Sequence, residues 1–188
     1  MILSDRELRV ALECGSLVID PAPADDAIQP ASVELHLDLS GGALRPVRGV
    51  TTHLLKGVKA APATAHDSCI GGVLRLAPGD CALVTTRERV VIPAGLVAQV
   101  AGKSSLARLF LIVHTTAGWI DPGFPGQITL ELVNHSPQTL TLDDGIKVAQ
   151  LVVMRLTSAA LRPYGSDGLK SRYQNQVGAT ASRYGEEV

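Results

Sequence analysis

The residues from 102 to 131, GKSSLARLFLIVHTTAGWIDPGFPGQITLE, hold the polar side chains best suited to chemistry. Ser104 and Ser105 follow a glycine and precede Leu106, Ala107 and Arg108, so Ser104 reads as the N-cap of a short helix with outward-facing N–H groups. Such an end, flanked by Lys103 and Arg108, suits a phosphate. The plain alternative is a capped helix with two solvated cations. Residues 118–126 follow, with three glycines and two prolines in nine positions. That composition marks a loop in which backbone can approach a ligand, and Asp121 stands in its middle as a ligand group or a simple turn-former. Further on, Ile128, Leu130 and Leu132 share one face of a strand, and Gln127, Thr129 and Glu131 share the other. Glu131 faces water on one reading. If that face lines a pocket, a partly buried carboxyl there suits proton transfer near neutral pH.

A zinc-dependent nucleobase deaminase would need an HxE and PCxxC arrangement to hold its metal, and the sequence has neither. His36, His53, His66, His114 and His135 are scattered and read as structural or exposed. Cys14, Cys69 and Cys81 are widely spaced and without a CxxC pair, which predicts reduced, buried thiols rather than disulfides or a metal site. Seventeen basic residues against eighteen acidic ones exclude a strongly basic nucleic-acid surface. No apolar run approaches the ~20 residues of a membrane span, and the N-terminus does not resemble a signal peptide, so the expected location is cytoplasmic.

The segments GKSSLAR, TAGWIDPGFPG, ITLELVN and GIKVAQL (residues 145–151), in that order, resemble successive motifs of the dCTP deaminase and dUTPase superfamily. SDRELR near the start and RPYGS followed by SRYQNQVGATASR near the end extend the resemblance over nearly the whole chain. The dUTPase branch usually carries an apolar residue at the place of Glu131, whereas the dCTP deaminase branch carries its catalytic Glu there. Gly118-Trp119 resembles the bifunctional, dUMP-forming members; those that stop at dUTP typically carry His-Arg. The resemblance implies deamination of dCTP at cytosine C4 by Glu131 without a catalytic metal. Cleavage to dUMP and pyrophosphate would follow, with Mg2+ carried on the triphosphate and no zinc. Ser104 and Arg108 join Glu131 and Asp121 as implied catalytic residues. Implied substrate contacts come from Lys103 to Arg108 (including Ser105, Leu106 and Ala107), Asp121, Thr129, Leu130 and Glu131, Gln150, Tyr164, Arg172 and Gln176. The usual residue at Arg172 is Lys, and the guanidinium keeps the charge while changing its geometry. Three rival readings are a deaminase that stops at dUTP, a dUTPase, and a non-catalytic trimeric nucleotide-binding protein. The expected partners are dCTP, dUTP and two further copies of the chain, with no nucleic acid and no membrane, and inhibition by dTTP is a trait of the family.

The elements that must position these groups are mostly short strands. Length suits one domain, 1–188, with 163–188 as a mobile C-terminal arm by resemblance; the loop-forming residues of that tail also fit a frayed end. Ser4 to Glu7 is a capping box opening a helix whose stripe is Leu8, Ala11 and Leu12 and whose stop is Gly15. Leu17 to Ile19 reads as a short strand. Ala31 to Leu39 alternates, with Val33, Leu35, Leu37 and Leu39 inward and Ser32, Glu34, His36 and Asp38 outward; Glu34 and Asp38 depart from the SxDLRLG pattern of the family. Residues 41–72 read as short strands and loops. Further strands are expected over 74–76, 81–86, 96–100, 138–142 and 146–156, with turns at Pro78-Gly79-Asp80 and Asp143-Asp144-Gly145. Many short strands between Gly/Pro turns predict a mainly β fold, a sandwich or jelly roll. The family resemblance specifies a distorted jelly-roll β-barrel with a short N-terminal helix, assembled as a homotrimer with sites between subunits.

Overall fold

The computed structural model of the chain describes residues 1–51 and 63–184. Among the described residues, two α-helices, α1 (Asp5–Glu13) and α2 (Ser104–Ala107), and a 3-10 turn (Asp25–Ala27) accompany thirteen strands. The strands are β1 (Val18–Asp20), β2 (Ile28–Gln29), β3 (Ser32–Asp38), β4 (Ala43–Pro46), β5 (Thr64–Asp67), β6 (Val73–Leu76), β7 (Cys81–Val91), β8 (Leu96–Gly102), β9 (Leu111–Ile112), β10 (Trp119–Ile120), β11 (Pro125–Asn134), β12 (Leu140–Asp143) and β13 (Lys147–Arg155). The main sheet runs β10-β8-β13-β3-β7-β11-β9, and β12 pairs with β6 separately. The chain is therefore mainly β, and its pairings join strands far apart in sequence. His53 and the rest of 52–62 lie outside the described residues.

The strand pattern follows from alternation. Along β11 every second residue is buried, with Ile128, Leu130 and Leu132 inside. They meet Val33, Leu35 and Leu37 of β3, Val84 of β7, Ala98 and Val100 of β8, and Leu151 and Val153 of β13 in one apolar core. Ser4 and Glu7 form the capping box, Leu8 and Ala11 are buried, and Gly15 adopts a left-handed φ of 71° where α1 stops.

Two local expectations are overturned. Ser32 and Glu34 do not face water; both are buried. β3 lies mid-sheet between β13 and β7, and side chains from neighbouring strands cover its second face. All three cysteines are free and Cys69 is buried, but Cys14 and Cys81 are exposed. Cys14 caps the C-terminus of α1, and Cys81 opens β7 on its outward face, so neither position reaches the core.

One irregularity governs the site. The register between β11 and β7 shifts between Gln127 and Thr129. There, Ile128 N–H donates to Thr86 Oγ1 at 3.0 Å, and Thr86 Oγ1 donates to Glu88 O at 2.8 Å. A threonine hydroxyl thus replaces a ladder bond at the shift, which bends the strand just before Thr129 and Glu131.

Candidate active site

Thr129 and Glu131 stand two residues apart on the outward face of β11 and open into a cleft of about 420 Å³. Trp119, Asp121, Gln176, Thr180 and Ser182 line the same cleft. Thr115 N–H donates to Glu131 Oε2 at 3.2 Å, fixing one carboxylate oxygen from the loop between β9 and β10. Glu131 therefore lies in a pocket, the second of the two sequence-based possibilities.

Backbone constraints place Asp121. Trp119 and Ile120 pair with Gln99 and Ala98 of β8, and Val100 N–H donates to Gly118 O at 2.7 Å. A turn then closes through Phe124 N–H to Asp121 O at 3.1 Å. Gly123 takes a φ of 90°, and a Cβ there would lie 2.6 Å from Pro163 Cβ, so only glycine lets the tail approach. Gly118 is also packed closely: a Cβ would meet His114 Cε1 at 3.0 Å and Val100 O at 3.1 Å. A larger residue at 118 needs the His114 ring to move, and His114 precedes the residue whose amide holds Glu131.

Asp121 is shared with a second cleft of about 440 Å³, bordered by Arg162, Lys170, Arg172, Tyr164 and Tyr173. A carboxylate-bearing end thus continues past Asp121 into a basic end. Tyr164 N–H donates to Pro122 O at 2.7 Å, its ring lies 5.8 Å from that of Phe124, and Tyr173 N–H donates to its Oη at 2.8 Å. Burial pushes the Tyr164 phenol up, so it stays neutral.

The tail lies along β11. Asn175 N–H donates to Pro125 O at 2.8 Å, Gln127 N–H to Gln176 O at 3.1 Å, and Gln176 Nε2 to Gln127 O at 2.7 Å. Gly178 N–H then reaches Gln127 Oε1 at 2.7 Å, and Thr180 N–H reaches Thr129 Oγ1 at 3.2 Å. Along this path Arg172 Nε and Gln176 Oε1 are buried without a partner among the described residues. Such atoms are costly unless a ligand or water completes them.

The structure gathers Asp121, Thr129, Glu131, Tyr164, Arg172, Gln176 and Trp119 around these joined clefts. Lys103, Ser104, Ser105, Leu106, Ala107, Arg108 and Gln150 line neither. Leu130 points into the core, leaving only its backbone for a ligand. Ser104 is not the N-cap of α2. Lys103 occupies that position, no side chain caps the turn, and four residues make too short a helix for a dipole-based anion site. Lys103 contacts Glu34, while Gln150 accepts from Ser32 Oγ at 3.0 Å and donates to Gly102 O at 2.9 Å, so both are engaged within the chain. Sequence reasoning did not assign Thr180, Ser182, Tyr173, Arg162 or Lys170 to a site. The clustering of cations in the tail was the one available signal, because contacts across some fifty residues leave no periodic trace.

A model of the dCTP deaminase-like family matches residues 2–156. The dUMP-forming dCTP deaminase of Mycobacterium ulcerans (strain Agy99) is 43% identical over 184 residues, covering 97% of this chain and 95% of the relative. The dUMP-forming dCTP deaminase of Mycobacterium avium (strain 104) is 42% identical over 191 residues with the same coverage. Among solved structures, the 2'-deoxycytidine 5'-triphosphate deaminase from Agrobacterium tumefaciens aligns at a TM-score of 0.59 and 22% identity. That alignment covers 82% of this chain and 48% of that one, so the chain spans about half its length. A variant of the dUTPase from phage phi11 of S. aureus aligns at a TM-score of 0.50 and 16% identity, over 78% of this chain and 94% of that one. The two structures speak to the fold alone.

Proposed function

The chain belongs to the dCTP deaminase-like family, and from that premise we propose that it deaminates dCTP and hydrolyses the triphosphate to give dUMP, pyrophosphate and ammonia. The observation that carries this reading is the joined pair of clefts, with Glu131 at one end, Asp121 at the junction and Arg162, Lys170 and Arg172 at the other. A nucleotide has the matching order of base, sugar and triphosphate.

In this mechanism Glu131 takes a proton from a water set against C4 of cytosine. The hydroxide adds to C4 and the carboxylic acid passes its proton to N3; the carboxylate then takes the proton of the new C4 hydroxyl and hands it to the amino group, which leaves as ammonia while C4=O forms. Thr115 N–H holds the carboxylate, and backbone groups of Thr129 to Glu131 grip the pyrimidine edge. Trp119 and Ile128 supply apolar walls. Asp121 accepts from the deoxyribose 3'-hydroxyl and orients a second water, which attacks the α-phosphorus as pyrophosphate leaves. Mg2+ enters as part of the substrate, bound to the triphosphate. Tyr164, Arg172 and Gln176 meet the phosphates, which is supported for Arg172 by its unpartnered Nε donor. Gly118-Trp119 allows the second step.

We read the curled sheet as a distorted jelly roll that assembles into a homotrimer, with 163–188 as an arm that opens and closes over the triphosphate. Ser104, Ser105 and Arg108 then complete a neighbour's cleft. This is supported by their separation from the cleft of their own chain and by the exposed apolar side chains that follow them, Leu109 at 52% and Phe110 at 62%. No helix among the described residues is long and apolar enough to cross a membrane. The reading places the enzyme in the cytoplasm.

The test is incubation with dCTP and Mg2+, anion-exchange separation of the nucleotides, and assays for ammonia and pyrophosphate. Release of dUMP, pyrophosphate and ammonia is expected. Accumulating dUTP would reduce the activity to deamination, and unchanged dCTP would overturn the proposal.

A further inference from the structure

Glu34, in the middle of β3, is only 8% exposed, and a carboxylate at that depth is unfavourable unless cations and donors replace its water. Two ammonium groups do so. Lys103 Nζ contacts Oε1, and Lys147 Nζ lies 2.8 Å from Oε2. Lys147 also reaches Asp26 Oδ2 at 2.8 Å. One residue before Lys103, the Gly102 carbonyl accepts from Gln150 Nε2 at 2.9 Å, and Gln150 is paired in register with Glu34. The end of β8 is thus tied down at two consecutive residues by side chains of β3 and β13.

Beyond that corner the turn is held by its own backbone bonds and by Leu106, which packs partly buried against the core. Ser104, Ser105, Ala107 and Arg108 are exposed, and a single helical turn is not stable by itself, so the tie at its base helps set its direction. Burial and the like charge of Lys147 push the Lys103 ammonium down, and Glu34 is the opposite charge in contact with it.

We propose that Glu34 is a positioning residue, which clamps Lys103 through a buried ion pair shared with Lys147 and so fixes how the 104–108 turn presents the side chains of Ser104, Ser105 and Arg108 to the nucleotide. Lys103 is then a structural cation rather than a phosphate ligand. The inference rests on reading 104–108 as a substrate-binding segment.

The test compares wild type with E34Q, E34D, K103M and the E34Q/K103M double variant, by hydrogen exchange of the peptide 103–110 and by steady-state kinetics with dCTP. For E34Q, exchange at 103–110 is expected to rise about tenfold while peptides of β11 stay unchanged. KM should rise by about tenfold and kcat change by less than about twofold. E34D should recover part of the loss, and E34Q should add nothing to the exchange of 103–110 once Lys103 is Met, because Glu34 reaches that peptide through Lys103. Unchanged exchange at 103–110, uniform loosening of the whole molecule, or additive effects of E34Q and K103M would each overturn the clamp. Should E34Q not fold, K103M alone must loosen the same peptide selectively, or the clamp falls. Exchange is read without turnover, so a wild type that releases no ammonia would sink the functional reading and leave this test standing.

Discussion

Two carboxylates carry the proposed chemistry, and their surroundings assign them different work. Glu131 has its oxygen held by a main-chain amide on the floor of one cleft, whereas Asp121 stands where that cleft meets a basic one. Glu131→Gln preserves size and hydrogen bonding but removes the proton acceptor. Ammonia release should fall by about 10²–10⁴-fold, the usual contribution of a general base. Binding of labelled dCTP in equilibrium dialysis should persist. Normal deamination by this variant would remove Glu131 from its role. Trp119 and Gly118 act differently: the first walls the cleft, and at the second a Cβ would crowd the His114 ring and the Val100 carbonyl.

At the scale of elements, the shift between β7 and β11 sets the bend ahead of Thr129 and Glu131. Thr86→Val keeps the shape while leaving the buried Ile128 N–H without its acceptor. A loss of about 1–3 kcal/mol is expected in urea unfolding, the cost of an unsatisfied buried donor. A stability equal to wild type would mean the shift does not depend on the hydroxyl. The β4–β5 hairpin has its own acid-sensitive tie. Cys69 N–H and the Arg45 guanidinium hold the Asp67 carboxyl below the usual carboxylate range. A carboxylate lowered on folding stabilises above its ordinary value, and that contribution fades as pH falls through its folded value. Between pH 5 and about pH 3, wild type should therefore lose more urea resistance than Asp67→Asn. Equal losses would show that the hairpin tie carries no pH dependence.

Across the whole molecule, residues 104–108 do not line the Glu131 cleft of their own chain, although the proposed function draws on both. If neighbours complete each other, Arg108→Ala and Glu131→Gln chains, each inactive alone, should regain activity when unfolded together and refolded as a mixture. Mixed assemblies then contain some clefts with both wild-type contributions. Activity no greater than the sum of the two separate variants would place all site residues in one subunit.

Much of this was legible in the sequence because it is local. The capping box, the stop at Gly15, the alternation along β11 and the pairing of Thr129 with Glu131 on one face each depend on residues a few positions apart. The family itself was legible in ordered motifs, as the match over residues 2–156 bears out. The tertiary structure alone decided what covers each face. Glu34 reads as solvent-facing in an alternating strand, yet β3 runs mid-sheet and two lysines from other segments cover it. Lys103 reads as a phosphate ligand until that same carboxylate meets it. The tail reads as a frayed end until Gln176, Gly178 and Thr180 bond to a strand some fifty residues earlier. Periodicity records whether a side chain leaves the backbone toward one face or the other; what waits on that face is set by chain segments distant in sequence.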